Sequence, residues 1–200
     1  MVYKGKQLPL STLKHVQPLP GFNLKRLPKV MVTISENMEG RPPNMGAWNN
    51  KGQVYNVTIT NINEDSLTSY SKTSDVCFSS CATTHLVYQD YTLTEYINTE
   101  GSVLSVAFTF SADGETYTLC SAGNGSLEFM KGPLPKTIEG TKCPFIFYKE
   151  VFTAGDDSYS LQCADGLGQY LSYDDSNLAI LKDAADVTTD ETCKMTISQI

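Results

Sequence analysis

The sequence predicts an all-β domain, a barrel or sandwich built from short strands. Three observations lead there. Apolar and polar residues alternate with a period of two in several runs, turn residues recur about every ten positions between those runs, and no run of helical period is long enough for an α/β layer. With 200 residues, 40% of them apolar, and 11 Tyr and 8 Phe, the chain has enough apolar mass to fill one core without cross-links.

Six of the nine prolines fall within the first 43 residues, in a basic stretch without a sustained period of either two or 3.6. That stretch reads as an extension. The Asn/Gly-rich segment from Asn44 to Gly52, which contains Trp48, reads as the junction. The expected organisation is therefore a Pro-rich extension or propeptide over 1–50 and a folded domain over 51–200, with the single Trp outside the fold.

Tyr55, Val57 and Ile59 alternate with Asn56, Thr58 and Thr60, which predicts a half-buried first strand. The clearest repeat of this pattern is Leu104, Val106, Phe108 and Phe110 against Ser105, Ala107 and Thr109. Asp113-Gly114 then supplies a hairpin turn, Tyr117 and Leu119 the return strand, Gly123-Asn124-Gly125 the next turn, and Leu127 and Phe129 the strand after it. Further strands are expected over Phe145 to Val151, at Tyr159-Leu161-Cys163, over Tyr170 to Tyr173 and Leu178 to Leu181, and at Cys193-Met195-Ile197.

Charge is unevenly distributed. The net charge is -7, but residues 1–41 hold seven Lys/Arg against Glu36 and Glu39, leaving eight basic and twenty acidic residues beyond Arg41. An acidic body repels phosphate backbones, which argues against nucleic acid and heparin and for proteins with basic contact surfaces. No run of eighteen apolar residues occurs, so no membrane-spanning helix is expected, and the N-terminus lacks the apolar stretch of a secretory signal. The expectation is synthesis in the cytoplasm. The six cysteines then read as free and mostly buried, and the sequons at Asn56 and Asn124 as a strand and a turn.

Residue patterns with catalytic or metal-binding potential are sparse. Cys77, Cys81 and His85 have ligand-like spacing but no visible fourth ligand, so buried thiols beside a solvent-facing His85 are the better reading. Neither His85 nor His15 sits in a context that would activate a thiol, and Gly166-Leu167-Gly168 is too short to cradle phosphate. No enzyme, cofactor or metal is expected. Acidic pairs at Asp156-Asp157 and Asp174-Asp175, and the run from Asp183 through Asp190-Glu191, read as solvated loops or a face for a basic partner.

The segment Pro135-Lys136-Thr137-Ile138-Glu139-Gly140, followed by Pro144-Phe145-Ile146-Phe147-Tyr148-Lys149-Glu150, resembles the central stretch of interleukin-1 superfamily cytokines. The likeness continues through Tyr159-Ser160-Leu161-Gln162-Cys163 and Gly168-Gln169-Tyr170-Leu171-Ser172. Asn61 to Leu67, Ser105 to Phe110 and Tyr117 to Cys120 resemble the interleukin-18-like branch most. The resemblance implies a β-trefoil of twelve strands, a barrel closed beneath by three hairpins, with function on surface loops.

It also implies a secreted pro-inflammatory cytokine, a monomer released by an unconventional route. Its partners would be an interleukin-18-receptor-like primary chain and an accessory receptor chain, with no nucleic acid and no membrane insertion. Glu64 with Asp65 in the first turn, and Asp174 with Asp175, match places where carboxylates meet the first receptor chain. Lys149 and Glu150 complete the receptor-binding set. Thr60 and Glu150 depart from the branch, since both stand where a basic residue is expected. No Asp precedes Asp65, so processing after Asp would cut inside the fold. A receptor antagonist or decoy of the same family and a trefoil protease inhibitor are the competing readings.

Overall fold

Period-two alternation does produce strands here, and their pairing closes on itself. A computed structural model describes residues 46–70, 76–80, 87–99, 101 and 103–200, and contains fourteen strands among them. Residues 1–45, which include His15 and most of the extension expected over 1–50, lie outside the described residues, as do Cys81 and His85.

The strands form three successive units. The first comprises β1 (Ala47–Thr60), β2 (Ser66–Tyr70), β3 (Val76–Ser79), the short β4 (Val87–Tyr88) and β5 (Tyr91–Asn98). Next come β6 (Leu104–Ala112), β7 (Glu115–Gly123), β8 (Ser126–Lys131), the short β9 (Thr137–Glu139) and β10 (Phe147–Val151). The third comprises β11 (Ser158–Cys163), β12 (Tyr170–Tyr173), β13 (Ala179–Lys182) and β14 (Met195–Gln199).

The first and last strands of each unit pair antiparallel around a ring. β1 pairs β5, β5 pairs β6, β6 pairs β10, β10 pairs β11, β11 pairs β14, and β14 returns to β1 with Val57 opposite Gln199. The inner pairs β2–β3, β7–β8 and β12–β13 are hairpins. They are tied to one another: Leu181 N donates to Gly125 O at 2.8 Å and Phe78 N to Asn177 O at 2.8 Å. A closed six-stranded barrel capped by three hairpins is a β-trefoil, and its twelve strands are joined by the two short ones.

The barrel core is filled by Val57, Ile59, Leu67, Phe78, Val106, Phe108, Phe147, Leu161, Leu171 and Met195, among others. These are the inward positions of the alternating runs, which is why periodicity alone found β1 and β6. On β6 the other face is buried as well. Ser105 and Ala107 are fully covered, because a second apolar cluster lies outside the barrel wall.

That second cluster corrects the position of Trp48. The indole is fully buried among Tyr96, Ala107, Ile138, Cys143, Ile146 and Ala164, so the single Trp is inside the fold. β1 begins at Ala47, four residues before the expected boundary, and its first residues lie between β5 and β9. Tyr96 Oη donates to Pro135 O at 2.7 Å and holds the segment that carries β9 against this cluster.

Local turn chemistry sets the remaining boundaries. Asp113 and Gly114 adopt φ of 52° and 77°, as a tight hairpin requires, and Asn124 and Gly125 adopt 52° and 80°. A Cβ on Gly125 would also meet Leu181 O at 2.9 Å, so two constraints select glycine there. Cys193 falls in a 3-10 turn, Glu191–Cys193, and not in the last strand, because the Asp190 side chain accepts from Thr192 N and caps that turn. Leu178 precedes β13 for a similar reason: its N–H is taken by Asp174 Oδ1 at 3.0 Å.

Candidate functional site

Two loops of the same conformation meet on one surface. In the first, Asn61 Oδ1 accepts from Asn63 N and Asp65 N, each at 3.0 Å, Glu64 N donates to Asn61 O, and Glu64 sits at φ 65°. In the second, Asp174 Oδ1 accepts from Ser176 N at 2.9 Å and Leu178 N at 3.0 Å, Asn177 N donates to Asp174 O, and Asn177 sits at φ 62°. An Asx residue at the first position and a left-handed residue at the fourth close each five-residue turn.

The turns also hold each other. Asn63 Nδ2 donates to Tyr173 Oη at 3.5 Å, and Asn177 Nδ2 donates to Asp65 Oδ2 at 3.4 Å. Tyr173 lies beneath both, its ring edge-on to Phe78 at 5.7 Å. Burial raises its hydroxyl pKa, the Asn63 hydrogen bond opposes that, and Asp65, Glu191 and Asp190 raise it further. Four of the six expected residues, Glu64, Asp65, Asp174 and Asp175, therefore share one acidic surface, with exposed Ile62 and Leu178 as apolar contacts within it.

The roles within this set differ. Glu64 and Asp175 are exposed, whereas Asp174 Oδ1 is committed to its own turn, accepting from Ser176 Oγ at 2.7 Å besides the two amides. Those hydrogen bonds, Ser176 foremost, hold the Asp174 carboxyl below the usual carboxylate range. Nearby, Lys182 Nζ bridges Asp190 Oδ2 and Thr192 Oγ1 at 2.7 Å each, which anchors the acidic segment before β14. The Lys182 hydrogen bond, then Thr192, lowers the Asp190 pKa. Asn61, Asn63, Tyr173 and Asn177 were not marked as site residues by sequence; the first, second and fourth had a signal in their turn chemistry, and Tyr173 had none.

Lys149 and Glu150 stand elsewhere, on β10 between β6 and β11. Lys149 Nζ lies 3.7 Å from the centroid of the Tyr159 ring, a cation–π contact. Burial lowers its pKa, and Glu95 and Asp157 counter that in part. Glu150, one residue on, is exposed on the opposite face of the strand.

The buried thiols among the described residues are not activated. Cys120, Cys143 and Cys163 are free, and burial pushes each thiol up to about 12, far from a nucleophile's range. Among the described residues no cluster of three His, Cys, Asp or Glu side chains has metal-ligand geometry. Among them, too, no helix is long and apolar enough to cross a membrane.

The fold is thus that of a β-trefoil protein. No family model matches the sequence, and no curated protein sequence matches it. Solved structures do. Chicken cytokine interleukin 1 beta superposes with a TM-score of 0.56 at 12% identity, covering 76% of this chain and 99% of that one. A chicken interleukin-1 hydrophobic cavity mutant gives 0.56 at 12% identity, covering 78% and 99%. A further Gallus interleukin-1 beta point mutant gives 0.55 at 12%, covering 76% and 99%. The chain has an interleukin-1-like fold.

Proposed function

We propose that this protein is an interleukin-18-like cytokine that binds and bridges two receptor chains of the interleukin-1-receptor family and so starts immune signalling. The observation that carries this reading is the pair of mutually hydrogen-bonded acidic turns, Asn61–Asp65 and Asp174–Leu178, on an interleukin-1-like trefoil. Pre-organised turns lose little conformational freedom on binding, exposed carboxylates steer a basic partner, and Ile62 with Leu178 supplies apolar area.

Signalling would follow from proximity alone, since the barrel interior is packed with side chains. Release from the cytosol by a route outside the secretory pathway belongs to the same reading, and the five free described thiols are consistent with a reducing compartment of synthesis. The test is binding of the full chain to the immobilised ectodomain of an interleukin-18 receptor primary chain, with interleukin-1 and interleukin-33 receptors as controls. Selective saturable binding, weakened about tenfold or more by Glu64→Ala with Asp175→Ala, supports the proposal. Binding to a control receptor alone replaces the branch, and binding to none overturns the reading.

A further inference from the structure

A second feature lies across the outer face of β6, β10, β11 and β12. Ser105, Tyr148, Gln162 and Tyr170 are directly opposite one another in successive ladders, so two tyrosines flank a glutamine in a cross-strand row. Glu150 follows Tyr148 on the same face of β10, two residues along. Three described residues near the end of β5 and the start of β6 form a wall. Asn98, Gly101 and Val103 from that wall, with Tyr148, Glu150 and Gln162 from the floor, enclose a cleft of about 280 Å³. One water occupies roughly 30 Å³ of liquid, so the space suits a single long side chain.

Its chemistry is that of a cation acceptor. Glu150 is exposed and has no ion pair among the described residues. Lys149 does not neutralise it, being on the other face of β10 against Tyr159. Glu150 also raises the Tyr170 hydroxyl pKa, second to burial. Gln162 Nε2 donates to Gly168 O at 3.3 Å, an orientation that leaves the amide's carbonyl oxygen as an acceptor for a ligand. Exposed Val103 supplies apolar surface at the edge of the cleft.

We infer that this cleft binds an arginine side chain presented by a protein partner, at a surface distinct from the two acidic turns. A guanidinium suits it better than an ammonium: its plane stacks on tyrosine rings, and its fork of donors reaches a carboxylate and an amide oxygen together. The acidic body favours such a partner over long range. This surface rests on the recognition reading for its biological partner, but its chemistry can be tested without any receptor.

The experiment is titration of the isotope-labelled full chain with N-acetyl-arginine amide, followed by amide chemical shifts, with the lysine and citrulline amides as comparators. The expected result is saturable millimolar shifts confined to Asn98, Gly101, Val103, residues 148–150, Gln162 and Tyr170, at least tenfold weaker with the citrulline amide and in Glu150→Gln. Glu150 is exposed, so its conservative replacement leaves the fold intact. The inference is overturned by absent or scattered shifts, by equal shifts with citrulline or lysine amide, or by binding that survives Glu150→Gln. Failure of receptor binding through Glu64 and Asp175 would leave this result unaffected, and the reverse also holds.

Discussion

Asp174 and Asp175 are adjacent in one turn, yet only Asp174 has a side chain that holds the turn together. Its Oδ1 accepts two backbone amides and the Ser176 hydroxyl, whereas Asp175 is exposed. Asp174→Ala should therefore lower the midpoint of thermal unfolding and weaken binding only as a consequence. Asp175→Ala should leave the midpoint in place and weaken the proposed receptor binding directly. Calorimetry on both variants separates the roles, and equal midpoints would refute the assignment. Sequence marked the two as equivalent, because an acidic pair carries no sign of which member faces inward to its own backbone.

Thiol reactivity is the second prediction at this scale. A thiol pushed up to about 12 is roughly one part in ten thousand thiolate at pH 8, so Cys120, Cys143 and Cys163 should be silent in the native state. Cys77 is half-exposed, with Sγ 3.2 Å from Thr68 Oγ1. In a Cys81→Ser variant, a thiol-specific dye should label one site quickly and the others only on unfolding. Rapid labelling of two or more would contradict the burial described.

Among the elements, β1 shows best what sequence reveals and what it hides. Its second half was legible, since Tyr55, Val57 and Ile59 alternate cleanly. Its first half was not, because Trp48 stands among Asn and Gly, and its burial comes from Ile138 and Ile146, about ninety residues away in the sequence. β9 was missed for the same reason: three residues show no period. The site follows this rule too, for Asn63 and Tyr173 are joined across 110 residues. Trp48→Ala should cost about 3–5 kcal/mol in denaturant unfolding. A chain beginning at Lys51 should melt well below one beginning at Gly46, and equal stability would show that the second cluster is dispensable.

Over the whole molecule, acid should be the first condition to weaken the fold. Asp156, Asp174 and Asp190 all have carboxyl pKa values below the ordinary 3.8, through Ser158, Ser176 and Lys182 respectively. A folded-state value below the unfolded one gives stability that is complete above the unfolded pKa and lost as pH falls through the depressed values. The melting temperature should thus be nearly flat from pH 7 to about 5, then drop below pH 4 as these groups protonate. Asp190→Asn should shallow that drop, and an unchanged slope would remove the Lys182 bridge from the explanation.

Closure of the ring also has a consequence for synthesis. β1 is made first and β14 last of the described strands, yet they are neighbours, with Val57 through Thr60 facing Gln199 through Thr196. While the ribosome is still extending the chain, β1 and β11 each keep a row of backbone groups that only β14 can cover. Such rows recruit other nascent chains. Pairing of β14 with both strands is therefore what turns an adhesive, open ribbon into a closed ring.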